Sequence, residues 1–214
     1  MNKRLILVGC GAFARELISW AEDIADAGIG QKITGYLDDT SHILEKFAYP
    51  YEAKWIATID NYIPEIGDEL IIAIGDPVGK LKVVTKLKEK GAKFATLIHP
   101  TAVIARSARL GEGVVICPQA LVSADAQLGD FVMVNCLSSI GHDVVVGNYC
   151  TLSAHVDLTG YVHVGDGVFF GTGAKVLPKV KIGAEAKIGA GAMIMQSVPE
   201  NTVMYTQPAK KLYS

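Results

Sequence analysis

A period of six residues runs through the second half of the chain and limits its fold more than any other feature. A large apolar residue recurs at Ile98, Ile104, Leu110, Ile116, Val122 and every sixth position to Ile194, and the residue four further on is small each time, from Ala102 to Val198. Both rules hold at all 17 repeats. Six fits neither a helix of 3.6 residues per turn nor a simple alternating strand. It fits a short strand and a tight turn, repeated, with the large residue pointing inward and the small one at the corner. Glycine often follows the large residue, as at Gly111, Gly129, Gly141 and Gly147, and is expected to supply permissive dihedrals at the turn. This is the pattern of a parallel β-helix of hexapeptide repeats. Three repeats make one triangular coil, so every position stacks on its equivalent three repeats later, in columns. Coils at the ~4.8 Å inter-strand spacing build a prism roughly 27 Å tall.

The first 97 residues follow another rule. Short apolar runs, Arg4 to Val8, Lys32 to Leu37 and Leu70 to Ile74, alternate with helical spacing over Ala12 to Ala27 and Val78 to Lys90. A strand is plausible around Lys54 to Ile59, and Ala92 to Leu97 reads as a last strand. Strands alternating with helices predict a small parallel α/β domain of Rossmann-like half length. The predicted organisation is therefore residues 1–97 as a nucleotide- or sugar-binding α/β unit, 98–199 as the β-helix, and 200–214 as a C-terminal tail.

Composition excludes several function classes. The 214 residues carry 20 basic and 22 acidic side chains, a net charge of −2. That gives no basic patch for a nucleic-acid backbone. No stretch approaches the ~20 apolar residues of a membrane span. The four cysteines, Cys10, Cys117, Cys136 and Cys150, have no CxxC spacing and read as reduced thiols of a cytoplasmic protein.

Apolar columns of a solenoid need no explanation beyond stacking, so chemistry belongs to outward positions that break the pattern. His142 and Asp143 fall at such positions, side by side in a turn. An imidazole is the usual general base, and a neighbouring carboxylate can orient it and stabilise its charged form. A surface histidine at a turn is also often incidental. In the α/β half, Gly9-Cys10-Gly11 follows a strand and opens a helix, where main-chain amides can cradle phosphate; it reads equally as a structural tight turn. Asp38 and Asp39 close the second strand, where an acidic residue can meet a ribose or base.

These residues, together with Tyr36-Leu37-Asp38-Asp39, Ile72-Ala73-Ile74-Gly75-Asp76, Leu97-Ile98-His99-Pro100, Asn135, Ser138 to Asp143 and Pro208-Ala209-Lys210, resemble the hexapeptide-repeat sugar acetyltransferases. The similarity is to the branch with nucleotide-4-amino-sugar N-acetyltransferases and sialic acid O-acetyltransferase-like proteins. It implies a left-handed β-helix, a homotrimer, and acetyl-CoA in the groove between neighbouring prisms. It implies His142 as general base with Asp143 beside it, where the family usually has Glu. Thr151, Thr172 and Ala190 would contact the cofactor; from the residues alone they are ordinary turn positions. Gly11, Ala12, Phe13, Asp38, Asp39 and Gly75 would hold the nucleotide or sugar. Ala12-Phe13-Ala14 stands where family members that bind UDP-sugars often carry Gly-His-Gly, and the Phe13 ring cannot donate to phosphate. The expected reaction is acetyl transfer from acetyl-CoA to an amine or hydroxyl of a sugar. The competing expectations are a trimeric β-helix zinc enzyme of the carbonic anhydrase type, and a non-catalytic trimeric binding protein. The intervals from His142 to His155 and from His155 to His163 are both long, without the close pair a zinc site favours, so no metal is expected.

Overall fold

A computed structural model describes residues 3–207 and 209–211. Pro208 of the terminal motif and residues 212–214 lie outside the described residues. The α/β unit opens with β1 (Arg4–Val8), α1 (Ala12–Asp26) and β2 (Ile33–Leu37), followed by β3 (Lys54–Ala57), β4 (Asp68–Ile72) and α2 (Pro77–Glu89). Its four strands are parallel in the order β3-β2-β1-β4. Between β2 and β3 lies a single 3-10 turn, Ile43–Lys46. The strand expected over Ala92 to Leu97 does not form. Only Phe94 bridges Leu70, and Leu97 already belongs to the solenoid.

The solenoid contains 18 two-residue strands, from Leu97–Ile98 to Val203–Met204. They form three parallel sheets of five, seven and six strands, so three strands per coil give six coils. Paired strands are one coil apart, as in Gln127 with Val145 and Met133 with Thr151. The last coil is shorter: Lys187 pairs with Val203, and Ile182 bridges Val198. Both repeating columns point inward. Val114, Ile116, Ala120, Val122, Ala126 and Leu128 are buried in one continuous core, where each Val, Leu or Ile contributes ~1.5–3 kcal/mol.

The corners are built differently from the sequence expectation. The left-handed dihedral falls on the fourth residue of the repeat, three after the large apolar one. It runs without interruption from Gly113 (φ 64) through Gln119, Asp125, Phe131, Leu137 and Asp143 to Gly191 (φ 68). Most of these residues are not glycine. The glycines that follow the large apolar residue answer a steric demand instead. A Cβ on Gly111 would lie 2.7 Å from the Asp130 nitrogen of the next coil, and one on Gly141 2.9 Å from that of Gly160. Close stacking of coils, and not turn dihedrals, selects glycine there. At one corner, side chains reinforce the stack. Asp130 accepts from the Glu112 N–H at 2.9 Å, Asn148 from Asp130 at 2.9 Å, and Asp166 from Asn148 at 2.6 Å.

The α/β unit packs against the seven-stranded face from both sides of its sheet. On its α1 side, Leu17 and Ile18 share a cluster with Leu97, Val115, Cys117 and Met133. On its α2 side, Val84 and Leu87 pack with Phe131. Phe131 is edge-on to Phe94 and stacked on Tyr149. No helix among the described residues is long and apolar enough to cross a membrane.

Candidate active site

His142 and Asp143 occupy the corner between the five- and six-stranded faces, away from the α/β unit. The repeat fixes why both are exposed. Ile140 and Val144 on either side are core residues, so the chain between them loops outward. Asp143 takes the left-handed position (φ 59), which aspartate tolerates better than most residues. Its main-chain N–H donates to Ala124 O at 3.1 Å, fixing it to the coil below. The Asp143 carboxylate lies 2.9 Å from His142 Nδ1, with the side chains 58% and 41% exposed. A proton on Nδ1 held by that carboxylate leaves the Nε2 lone pair directed away from it, the arrangement a general base needs.

The imidazole rests on the next coil. Its Cε1 and Nε2 would lie 2.6 Å from a Cβ at Gly160, so only glycine leaves room for the ring. Tyr161 stands beside it, ring centroids 5.0 Å apart and planes at 88°. The sequence reading missed both. The available signal was position: Gly160 and Tyr161 lie one full coil beyond His142 and Asp143.

Thr172 and Ala190 are exposed and stacked on another corner, joined by the Gly191 N–H to Thr172 O bond of 2.9 Å. Ala154 and Cys136 continue that column, since Gly173 donates to Ala154 O and His155 to Cys136 O, both at 3.0 Å. Within one chain the column and His142 are on different corners. Thr151 does not join it. It lies on the seven-stranded face, 5% exposed, with its hydroxyl 2.8 Å from Lys80 Nζ, so its side chain binds α2 and not a groove.

Lys80 is the other site residue the sequence reading passed over. It is 1% exposed and donates to Phe131 O at 3.0 Å, Cys150 O at 3.1 Å and Thr151 Oγ1. Burial pushes its ammonium down to about 7. It shares the spacing of Val84 and Leu87, the buried face of α2.

In the α/β unit, parallel topology gathers the expected substrate residues at the carboxyl edge of the sheet. Gly9 is left-handed (φ 86), and Gly11 caps α1 without a side-chain hydrogen bond. Gly11 and Ala12 are exposed. Asp38 is already engaged: Oδ2 accepts from Cys10 N and Oδ1 from Thr40 N, both at 2.8 Å. Its role is to tie the β1 and β2 loops together, with Asp39 exposed beside it. Phe13 is half-buried, edge-on to Trp20 at 5.9 Å. Gly75 precedes Asp76, which caps α2 by accepting from Gly79 N at 2.7 Å. Asp76, Pro77 and Val78 face Gly167, Glu185 and Lys187 of the solenoid across a cleft of about 310 Å³.

The histidines of the zinc expectation are not brought together. His142 and His155 sit on different corners and His163 on a face. Among the described residues, no group of three or more His, Cys, Asp or Glu side chains could hold a metal ion.

A hexapeptide solenoid with a small α/β unit docked on one face is the architecture expected from the resemblance to the hexapeptide-repeat sugar acetyltransferases. Family models agree: the PglD N-terminal domain matches residues 4–87, and the bacterial transferase hexapeptide (six repeats) matches residues 161–196. The chain thus joins a region like the PglD N-terminal domain to one like the bacterial transferase hexapeptide repeats. PerB from Caulobacter crescentus, solved in complex with CoA and GDP-perosamine, is 29% identical with a TM-score of 0.80, covering 95% of this chain and 94% of that one. The acetyltransferase domain of PglB from Neisseria gonorrhoeae is 28% identical with a TM-score of 0.84, covering 99% and 100%. That domain has also been solved in complex with acetyl coenzyme A. A curated relative, UDP-N-acetylbacillosamine N-acetyltransferase of Bacillus subtilis, is 32% identical over 110 residues, 50% of this chain. The match spans about half the length of that relative, 47%.

Proposed function

We propose that the protein transfers the acetyl group of acetyl-CoA to the amino group of a nucleotide-linked amino sugar. The observation that carries this reading is the exposed His142–Asp143 pair, 2.9 Å apart on a corner of the prism. The CoA and nucleotide-sugar complexes of the solved relatives support the two substrates. His142 Nε2 takes a proton from the amine as its nitrogen attacks the thioester carbonyl. Asp143 holds Nδ1–H and stabilises the imidazolium that results. The new C–N bond forms as the C–S bond breaks, and the CoA sulfur takes the proton from the His142 imidazolium, so that CoA leaves as the thiol and the base is restored. Nitrogen is favoured as the acceptor atom over a hydroxyl because the named relatives are N-acetyltransferases.

The site is completed in a homotrimer. Thr172 and Ala190 line one wall of the groove for acetyl-CoA, and His142 of a neighbouring copy faces it. The separation of these corners within one chain supports this arrangement, because only a second copy makes the site compact. The nucleotide sits at the carboxyl edge of the α/β sheet, over Gly11, Ala12, Asp39 and Gly75. The open N-terminus of α1, which has no acidic residue in its first turn, suits a phosphate there. The chain's free cysteines suit a cytoplasmic enzyme.

Thiol release from acetyl-CoA, followed against UDP-, dTDP- and GDP-linked amino sugars, tests the reading. Turnover with at least one acceptor is expected, and His142→Ala lowers it by roughly 10²–10⁴. Turnover with none of them refutes the substrate class, and an unchanged rate in His142→Ala removes the base.

A further inference from the structure

We propose that Tyr161 is a positioning residue for His142, holding the imidazole in the one tautomer and orientation that leaves Nε2 free to accept a proton. This rests on the assignment of His142 as the base. Three observations carry it. The first is contact: the two rings stand perpendicular, 5.0 Å between centroids, a geometry aromatic pairs favour. The second is confinement. Asp143 Oδ2 holds Nδ1 from one side, Gly160 forms the floor beneath Cε1 and Nε2, and the Tyr161 ring closes another side. Without that ring, rotation about the Cβ–Cγ bond is limited by a single hydrogen bond on a surface side chain.

The third observation is the place of Tyr161 among the left-handed corner residues. Its φ is 64, and the residue is 47% exposed. A bulky residue in the left-handed region is unfavourable. Glycine takes this repeat position at Gly167, Gly173 and Gly191, but Leu137, Lys179 and Glu185 hold it as Tyr161 does. The other two aromatic residues in left-handed corners, Phe131 and Tyr149, stack on each other where the α/β unit docks. Among the described residues Tyr161 makes no such stack, and its ring contact is His142. What separates Tyr161 from Leu137 and Lys179 at this position is the contact of its ring with His142, not its dihedral.

The test combines two variants and two measurements on the full chain. Tyr161→Phe keeps the ring. Tyr161→Gly removes it and relaxes the backbone, so folding is preserved. Nitrogen-15 spectra of the histidine rings, with the His142 signals assigned by their loss in His142→Ala, report the tautomer directly. The wild type and Tyr161→Phe are expected to show His142 protonated on Nδ1 at pH above its titration. Tyr161→Gly should move both ring nitrogens towards an even mixture. In the same variant kcat should fall roughly 3- to 10-fold, with KM for acetyl-CoA unchanged. Ring signals that stay in place in Tyr161→Gly overturn the proposal, whatever happens to the rate. If the signals move while His142→Ala retains full turnover, the positioning stands and the base assignment falls.

Discussion

Replacing Lys80 with Met should change how the stability of the protein depends on pH. The ammonium is sealed between α2 and the solenoid and bonded to two carbonyls and a hydroxyl, all neutral acceptors. Burial is the main cause of its depressed titration, near 7 against 10.5 for a free lysine, while Cys150 and Asp76 act weakly the other way. Between those pH values the unfolded chain binds one proton more than the native state. Stability therefore rises with pH through this window, by ~1.4 kcal/mol per pH unit. Above pH 9 unfolded thiols ionise, while burial holds native Cys10 and Cys150 up to about 12, which pulls stability down. The useful range is pH 6.5 to 8.5, where the Lys80 contribution grows by about 2 kcal/mol. Methionine removes the buried charge but takes the lysine's hydrogen bonds from Phe131 O and Thr151 Oγ1, while Cys150 O keeps the Met133 N–H, and these effects oppose one another at low pH. Urea unfolding of both proteins at several pH values, followed by the fluorescence of Trp20 and Trp55, measures the difference. The unfolding free energy of the wild type should gain on that of Lys80→Met as pH rises. Parallel curves would falsify the assignment of a Lys80 whose titration burial lowers.

Four other outcomes follow from the geometry. Asp143→Asn keeps an amide oxygen near Nδ1 and a residue that tolerates the left-handed corner, yet removes the charge; turnover should fall roughly 10-fold or more with little change in thermal stability. Thr151→Val takes away one Lys80 acceptor and should cost ~1–3 kcal/mol in urea unfolding while KM for acetyl-CoA stays constant; a raised KM would return Thr151 to the cofactor groove. Gly129→Ala sets a Cβ 2.9 Å from the Asn148 nitrogen and should destabilise by ~1–3 kcal/mol, or about 2–10 °C in Tm for a chain of this size. The buried Asp68 accepts from Arg4, Tyr62 and the Glu65 N–H. Burial raises its pKa, but the bonds from Arg4 and Tyr62 outweigh that and hold it below 3.8. Its contribution is present above pH 4 and is lost as pH falls below; Asp68→Asn should flatten the acid limb of the stability curve.

The solenoid was legible because its constraint is local and repeated. Each coil meets the same apolar requirement, so Ile98, Ile116 and Val134 announce themselves by period alone. The corner mechanism was not legible. Gln119, Phe131 and Leu137 carry no mark of a left-handed dihedral, and Gly111 carries none of the backbone in the next coil that excludes its Cβ. His142 and Asp143 stood out as the polar residues of an apolar run, but Gly160 and Tyr161 gained meaning only once the coils were stacked. In the α/β unit, alternation revealed the four strands. It also suggested a further strand over Ala92 to Leu97, because apolar alternation cannot tell a sheet edge from a connection that packs beside one. Lys80 was hidden for a simpler reason: residue type said surface, and only the face it shares with Val84 and Leu87 said otherwise.

The corner ladder of Asp130, Asn148 and Asp166, each reaching back one coil, quantises the chain length of this half. Removing a single repeat between His142 and Thr172 would leave every apolar residue in the core and every strand intact. It would also turn all later coils by a third of a revolution, carrying Thr172 and Ala190 to another corner and setting unmatched side chains beneath the ladder. Removing three repeats would shorten the prism by one coil and return each corner to its own edge. Length change in this protein is thus tolerated by the core in steps of one repeat, but by the proposed active site only in steps of a whole coil.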